Sequence, residues 1–185
     1  YKNISDGRMY LHSGSRLEQC KNYSEDFFSK GAIDITEISD KTLKEINDRY
    51  HQKEKSPFIN INDDWHLKNC VLKIEPYVGL DYSSFNYSKF SAILHGTYHS
   101  GTACAEPHEN SVLHLIDLCE KENPDIDIYL SPSKNSGEIY DTVRVIDSHK
   151  SSQKKINFLY GCTNETAYAK LVLAYSIFKD KRIWS

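Results

Sequence analysis

A short loop rich in glycine and hydroxyl side chains is the first stretch whose residue types could do chemistry. It follows the apolar residues AIL and one histidine, and it reads GTYHSGT. Its hydroxyls, with backbone N–H groups left accessible by two glycines, could bind a carboxylate or an amide. The spacing fits neither a P-loop nor a GxGxxG motif, so no nucleotide is expected. The alternative is an ordinary strand-to-helix turn. The candidate ligand-binding residues are Gly96, Thr97, Tyr98, His99, Ser100, Gly101 and Thr102.

Histidine and cysteine residues near this loop suggest two other kinds of site. His95 and His99 are four residues apart, which is a metal-ligand spacing on a helix, but here they fall on a strand end and a loop. Cys104 could form an activated pair with His99 or His108, although nothing in the sequence orients such a pair. Neither pattern specifies a catalytic set, and we predict no metal and no cofactor.

Strands and helices alternate from residue 70 onward. Apolar runs predict four strands and periodic stretches predict two long helices, the first capped by Asn110 or Ser111 and the second by Thr163. Short links between alternating elements favour parallel strands, so the predicted fold is a small three-layer α/β/α domain of flavodoxin-like or Rossmann-like type. The strands are predicted within 70–77, 91–98, 126–132 and 156–161, and the helices within 109–123 and 164–178.

Ligands of such sheets bind beyond the carboxyl ends of the strands. The loop 95–102 and the loop SPSKNSGEIYD at 131–141 should therefore lie at the same edge. Glu138 or Asp141 in the second loop could receive the amino group of a ligand whose carboxylate binds the first loop.

The first part of the chain is less regular. We predict an N-terminal segment at 1–68, with β-structure, a linker and a polar helix or loop, and an α/β domain at 69–185. Weak alternation at 8–20 predicts an edge hairpin around Ser13 and Gly14. The charged stretch at 40–57 predicts a solvated helix or a mobile loop that Pro57 ends.

Composition narrows the class of protein. With 185 residues, 39% hydrophobic and 26% charged, the chain can form a real core. The formal charge of -3 gives no reason to expect nucleic acid. No apolar run reaches the ~20 residues that span a bilayer. The five cysteines are scattered and odd in number, which favours reduced thiols and a cytoplasmic location.

Six stretches in a fixed order resemble the second half of bacterial L-asparaginases. In that family a strand with a GnR turn is followed by a dAF stretch, a Tyr-Pro-Gly segment, a G.G.Gt loop, a strand with S….G and a helix with tpeaA..KL. The best matches are TNETAYAKL and the strand that ends in a Gly-Thr loop. The stretches are MYLHSGSR, FFSKGAIDITEI, VLKIEPYVGLD, FSAILHGTYHSGTA, YLSPSKNSGEIYD and LYGCTNETAYAKLVLAYS.

The resemblance implies a fold and a division of labour. The family's C-terminal domain is a four-stranded parallel sheet between helices. Its two catalytic Thr, with an Asp and a Lys, belong to a larger N-terminal domain whose motifs do not occur here. The C-terminal domain closes a neighbouring subunit's site or, in one subgroup, holds an effector site for asparagine. This chain departs from the family at Val78, where the family has proline, and at Tyr98 and His99, which replace a glycine-rich tip.

Three functions are compatible with these observations. The first is the C-terminal domain of an asparaginase-like amidohydrolase, cut from a longer chain, inactive alone and serving assembly or effector binding. Its partners would be the missing catalytic domain, asparagine or aspartate, and further copies of itself. The second is a non-catalytic binding or interaction module of the same fold in a multidomain protein. The third is a separate small hydrolase that uses Cys104 or a serine.

Overall fold

The computed structural model describes residues 1–18, 24–53, 68–134, 140–149 and 156–178. These residues form a mixed α/β fold. Two short antiparallel pairs precede a four-stranded parallel sheet. The strands are β1 Tyr10–Leu11, β2 Leu17–Glu18, β3 Phe28–Ser29, β4 Ile33–Asp34, β5 Val71–Ile74, β6 Ala92–Gly96, β7 Asp127–Ser131 and β8 Ile156–Phe158. The α-helices are α1 Asp40–Lys53, α2 Val112–Glu122, α3 Asp141–Ser148 and α4 Asn164–Leu173, and a π-helical turn at Ala174–Phe178 continues α4.

The four strands of the parallel sheet lie in the order in which they follow in the chain, β5-β6-β7-β8. The central strand β6 is buried along its whole length, which is why its sequence AILHG carries no charged residue. In register, Ile93 of β6 lies beside Leu72 of β5 and Ile128 of β7. The predicted fold class and its four parallel strands are therefore confirmed.

Both faces of the sheet are covered, which makes three layers. On one face, the β6 residue Ile93 packs in a cluster with Tyr82, Leu115 of α2 and Ile146 of α3. These three residues come from the connections between consecutive strands, so all those connections lie on that face. On the other face, alternate strand residues such as Leu94 pack with Ala167 and Leu171 of α4. Among the described residues, no helix is both long enough and apolar enough to cross a membrane.

Two predicted helix starts are found in the structure. The Ser111 hydroxyl accepts a hydrogen bond from the Leu113 N–H, and the Thr163 hydroxyl accepts one from the Thr166 N–H. Each bond satisfies a backbone donor that the first helical turn leaves without a partner. The sequence did not predict α3, whose N-cap residue Tyr140 makes no side-chain cap hydrogen bond.

The N-terminal segment differs from the prediction in its strand pairing. Strand β1 pairs with β4, and β2 pairs with β3, so the hairpin predicted around Ser13 and Gly14 is wrong. A 3-10 helix at Gly14–Arg16 takes its place and separates β1 from β2. The charged stretch after it is a helix, α1, as one of the two interpretations predicted. Pro57 lies outside the described residues.

A buried carboxylate organises the first residues of this segment. Asp26 is only 1% exposed. Its Oδ1 accepts a hydrogen bond from the Ile4 N–H at 2.6 Å, and its two oxygens are within 3.4 Å of the Ser5 nitrogen. The Ser5 hydroxyl also donates to Oδ2. A polar group, rather than an apolar cluster, thus holds the start of the described chain in place.

Candidate functional site

The predicted loop begins at the carboxyl end of β6, where Gly96 pairs with Ser131 of β7. A Cβ atom at position 96 would overlap the carboxylate of Glu75 and come within 3.0 Å of the Pro76 ring. A side chain at position 96 would therefore displace the Glu75 side chain and crowd the Pro76 ring, which favours glycine at this position.

Three backbone N–H groups of the loop are already used inside the protein. The Thr97 N–H donates to the Ser131 carbonyl at 2.9 Å, the Tyr98 N–H to the Thr102 carbonyl at 2.8 Å, and the Gly101 N–H to the Tyr98 carbonyl at 2.7 Å. The Gly101 N–H is thus not available to a ligand, whereas the general expectation of accessible N–H groups beside the two glycines stays a prediction. Gly101 instead supplies the positive φ of 74° that closes the turn.

The Thr and Ser hydroxyl groups of the loop all make hydrogen bonds within the protein. The Thr97 hydroxyl donates to the Pro132 carbonyl at 2.5 Å and so ties this loop to the loop after β7. The Ser100 and Thr102 hydroxyls bond each other at 2.7 Å. Tyr98 and His99 are exposed at the tip. Of the seven predicted residues, Ser100 and Gly101 line a cavity.

That cavity, which we name the edge cavity, has a volume of about 260 Å³ and lies at the carboxyl edge of the sheet. Residues of the β6 loop, the β7 loop, α3 and β8 form its walls. This volume is just below the usual range of ligand pockets, about 300–1,000 Å³, and suits a small molecule better than a nucleotide. The lining residues are Ser100, Gly101, Ser133, Lys134, Tyr140, Val143, Arg144, Asp147 and Phe158.

Two cationic side chains give the edge cavity its electrostatic character. The Lys134 ammonium lies 4.6 Å from the centre of the Tyr140 ring, within the range of a cation–π contact. The Arg144 guanidinium pairs with the Asp141 carboxylate at 3.0 Å on the exposed side of α3. Asp141 is therefore next to the cavity but engaged with Arg144 and outside the lining. The other predicted acidic residue, Glu138, lies outside the described residues.

The sequence analysis missed the contribution of α3 to this cavity. Tyr140, Val143, Arg144 and Asp147 follow each other at i, i+3, i+4 and i+7, so they share one helix face. That spacing was readable in the sequence. No capping residue marks a helix start before it, because Tyr140 at the N-cap makes no side-chain hydrogen bond.

His95 does not belong to this surface. Its ring is fully buried, and its Nε2 lies 2.7 Å from the Tyr82 hydroxyl in a buried hydrogen bond. Burial lowers the pKa of His95 to about 4, so the ring is neutral at physiological pH. Burial also raises the pKa of Tyr82. His95 and His99 are thus separated into the core and the surface, as their positions on a strand end and a loop predicted.

The structure brings Cys104 and His108 together without making them a catalytic pair. The thiol Sγ lies 3.4 Å from Nε2 of His108, and the Asn110 N–H donates to Nδ1 at 3.1 Å. Since Nδ1 accepts a bond, the proton of the neutral ring is on Nε2 and points at the sulfur. A general base would need a free lone pair there. The described residues include no group of three or more potential metal ligands.

Comparison with protein-family models, with curated proteins and with solved structures returned no match to this chain.

Proposed function

We propose that this chain is the C-terminal domain of an asparaginase-like amidohydrolase, the class of enzyme that converts L-asparagine to L-aspartate and ammonia. In this proposal the nucleophile and its proton relay belong to another domain, and this domain serves assembly and binds a small amino acid at the edge cavity. A cytoplasmic location is part of the proposal, since the four described cysteines are free thiols.

The observation that carries the proposal is the agreement between segment order and sheet order. The six stretches that resemble the family are found on successive elements, from β1 through the β3–β4 pair, β5, β6 and β7 to β8 with α4. The last four stretches form a parallel sheet in chain order. A four-stranded parallel sheet between helices is what the resemblance implies for this domain.

The lining of the edge cavity supports a zwitterionic ligand. Lys134 and Arg144 offer positive charge to a carboxylate, and Asp147 offers negative charge to an amino group. The Ser100 hydroxyl can add a hydrogen bond. Asparagine or aspartate carries both kinds of charge and is small enough for a cavity of about 260 Å³.

Exposed apolar residues at the same edge support a role in assembly. Tyr77 and Val78 follow β5, and Tyr98 follows the adjacent strand β6; all three side chains are exposed. Such residues are often found where another protein surface packs. We propose that the missing catalytic domain or a second copy of this chain covers them.

Two measurements on the 185-residue chain test the proposal. The first is ammonia release from asparagine, for which we expect no turnover above buffer. Turnover that is lost in Cys104→Ala would contradict the proposal and favour the separate hydrolase.

The second measurement is calorimetric titration with aspartate. Lys134→Met should weaken binding about tenfold or more, because a charge-assisted hydrogen bond contributes about 1.5–3 kcal/mol. Lys121→Met, which removes the same charge from the exposed last turn of α2, is the matched control and should bind like the parent. Equal binding by both variants would remove the edge cavity from the proposal.

A non-catalytic module of the same fold is the second candidate. The edge cavity favours it, because a cavity with both charges can bind a ligand without any catalytic domain. If aspartate binds and the full-length protein releases no ammonia, this second function replaces the first.

A further inference from the structure

The connections that follow β5 and β6 form one surface, which we name the acidic edge. It comprises residues 75–81 and 97–111. A Cβ atom at Gly96 would come within 3.0 Å of the Pro76 ring, so the chain after β5 lies beside the end of β6. The Asn110 side chain donates to the Leu80 carbonyl at 2.7 Å and joins the two connections a second time.

Three large apolar or aromatic side chains of the acidic edge are exposed. Tyr77 is 66% exposed, Val78 is fully exposed and Tyr98 is 47% exposed. The first two follow β5 and the third follows β6, so they lie on connections that contact each other. Exposed apolar groups that gather on one surface indicate a place where another molecule packs.

The charge of this surface is negative. Its two connections contain four carboxylates and no Lys or Arg, the carboxylates being those of Glu75, Asp81, Glu106 and Glu109. Glu75 is balanced by an ion pair with Lys73 at 3.0 Å. Hydrogen bonds from a neighbouring serine hold the pKa of the Asp81 carboxyl below its usual value. Glu106 and Glu109 are exposed and form no ion pair with another described residue.

Positive charge borders the acidic edge on one side and depends on pH elsewhere. Lys134 adjoins Gly101, but its ammonium lies 4.6 Å from the centre of the Tyr140 ring, on the side of the edge cavity. Three histidines lie on the surface or next to it, namely His99, His108 and His114. Histidine side chains ordinarily change charge between about pH 5 and 8, so the excess of negative charge is largest at the upper end of that range.

We propose that the acidic edge is the docking surface for a segment of a partner protein that carries Lys or Arg side chains between apolar ones. Its cationic groups pair with Glu106 and Glu109, and they also contact the faces of the exposed tyrosine rings. Its apolar side chains pack on Val78. This inference rests on the assembly role in the proposed function and deepens it, because it states the chemistry of the surface that covers Tyr77, Val78 and Tyr98.

The test uses the peptide acetyl-RLSRGLR-amide in calorimetric titrations of the 185-residue chain at about pH 8, where histidine is ordinarily neutral. The peptide acetyl-ELSEGLE-amide has the same apolar residues and the opposite charge. We expect the basic peptide to bind with a Kd of about 1 mM or lower and the acidic peptide to bind at least tenfold more weakly. Amide NMR shifts should centre on Val78 and Tyr98. No binding of the basic peptide, or shifts centred elsewhere, would overturn the proposal.

Variants of exposed residues separate a local site from the effect of net charge. Glu106→Gln combined with Glu109→Gln should weaken binding of the basic peptide about fivefold, since each exposed ion pair contributes about two- to threefold. Tyr98→Ser should weaken it about tenfold, because an aromatic anchor is lost. Glu120→Gln combined with Glu122→Gln removes the same two charges from the last turn of α2, at the opposite edge of the sheet, and should leave the affinity unchanged. Equal affinities in the two double variants would overturn the proposal.

The outcomes also distinguish this inference from the proposed function. Aspartate binding at the edge cavity without peptide binding would overturn the docking surface alone. Peptide binding by a chain that releases ammonia from asparagine would support the docking surface and contradict the proposed function. A dimer of the parent that Val78→Lys dissociates, without peptide binding, would mean that a second copy covers the acidic edge, and it would overturn the proposal.

Discussion

The two regions of this molecule are held together by different kinds of residue. Every buried hydrophobic residue among the described ones lies at position 70 or later, in the α/β half. In the N-terminal segment the buried residues are polar, namely Asn3 and Asp26. A sheet with two covered faces supplies its own apolar core, whereas two-stranded pairs do not bury enough surface and need specific polar contacts.

Because of this difference, the stability of the two regions should depend on different kinds of change. An apolar core is sensitive to lost volume, since interiors are tightly packed. A hydrogen-bonded carboxylate is sensitive to a change of one atom or one proton. Substitutions of matched size in the two regions should therefore have different effects.

The largest effect is expected from Leu115→Ala in α2. Leu115 is fully buried in the cluster that α2 forms with the sheet. Truncation should lower the free energy of unfolding by about 2–5 kcal/mol, because burial is lost and a cavity remains. Urea denaturation measures this. Leu11→Ala in the exposed part of β1 is the control, with an expected change within about 0.5 kcal/mol. Similar losses in both variants would contradict the comparison.

A smaller loss of stability in the α/β half should appear on acidification, because His95 is buried there. The pKa of His95 is about 4 in the fold and 6.5 as a free group, so the unfolded chain binds the proton more tightly. His95 should therefore cost the fold up to about 3 kcal/mol as the pH falls from about 6.5 to about 4, with no contribution above that window. The measurement is the stability difference between the parent and His95→Gln across this range. A difference that stays constant with pH would show that His95 is not the titrating group.

The smallest effect is a local one in the N-terminal segment. Asp26→Asn removes the charge that holds the Ile4 and Ser5 N–H groups and should cost about 2 kcal/mol there. Hydrogen exchange of these two amides should accelerate about thirtyfold, while the amides of β6 exchange as before. Asp34→Asn, at an exposed carboxylate of β4, is the control. Faster exchange throughout β6 would mean that the two regions unfold together.

The same difference explains which parts of the fold could be predicted from the sequence. The apolar run around Ile93 and the i, i+3, i+4 spacing of Val112, Leu115 and Ile116 are local patterns, and the structure confirms β6 and α2. The pairing of Tyr10 with Asp34 joins residues 24 apart, and no local alternation encodes it. A hairpin at Ser13 and Gly14 was the nearest local solution, and it is wrong.

The candidate site was predictable to a similar extent. Parallel strands bring the loops after β6 and β7 to one edge, and the hydrogen bond from Thr97 to Pro132 joins them there. Which N–H groups of the loop form hydrogen bonds within it depends on how the chain turns after Tyr98. Composition does not specify that turn. Arg144 was missed because its helix carries no start signal in the sequence.

The order of strands in the sheet has a consequence for biosynthesis. Because β5, β6, β7 and β8 lie side by side in chain order, each strand can pair with its predecessor as soon as it leaves the ribosome. The N-terminal segment is made before the sheet, yet its Ser15 carbonyl accepts a hydrogen bond from Thr163, which follows β8. We therefore expect that the N-terminal segment reaches its final position only after β8 and Thr163 have been made.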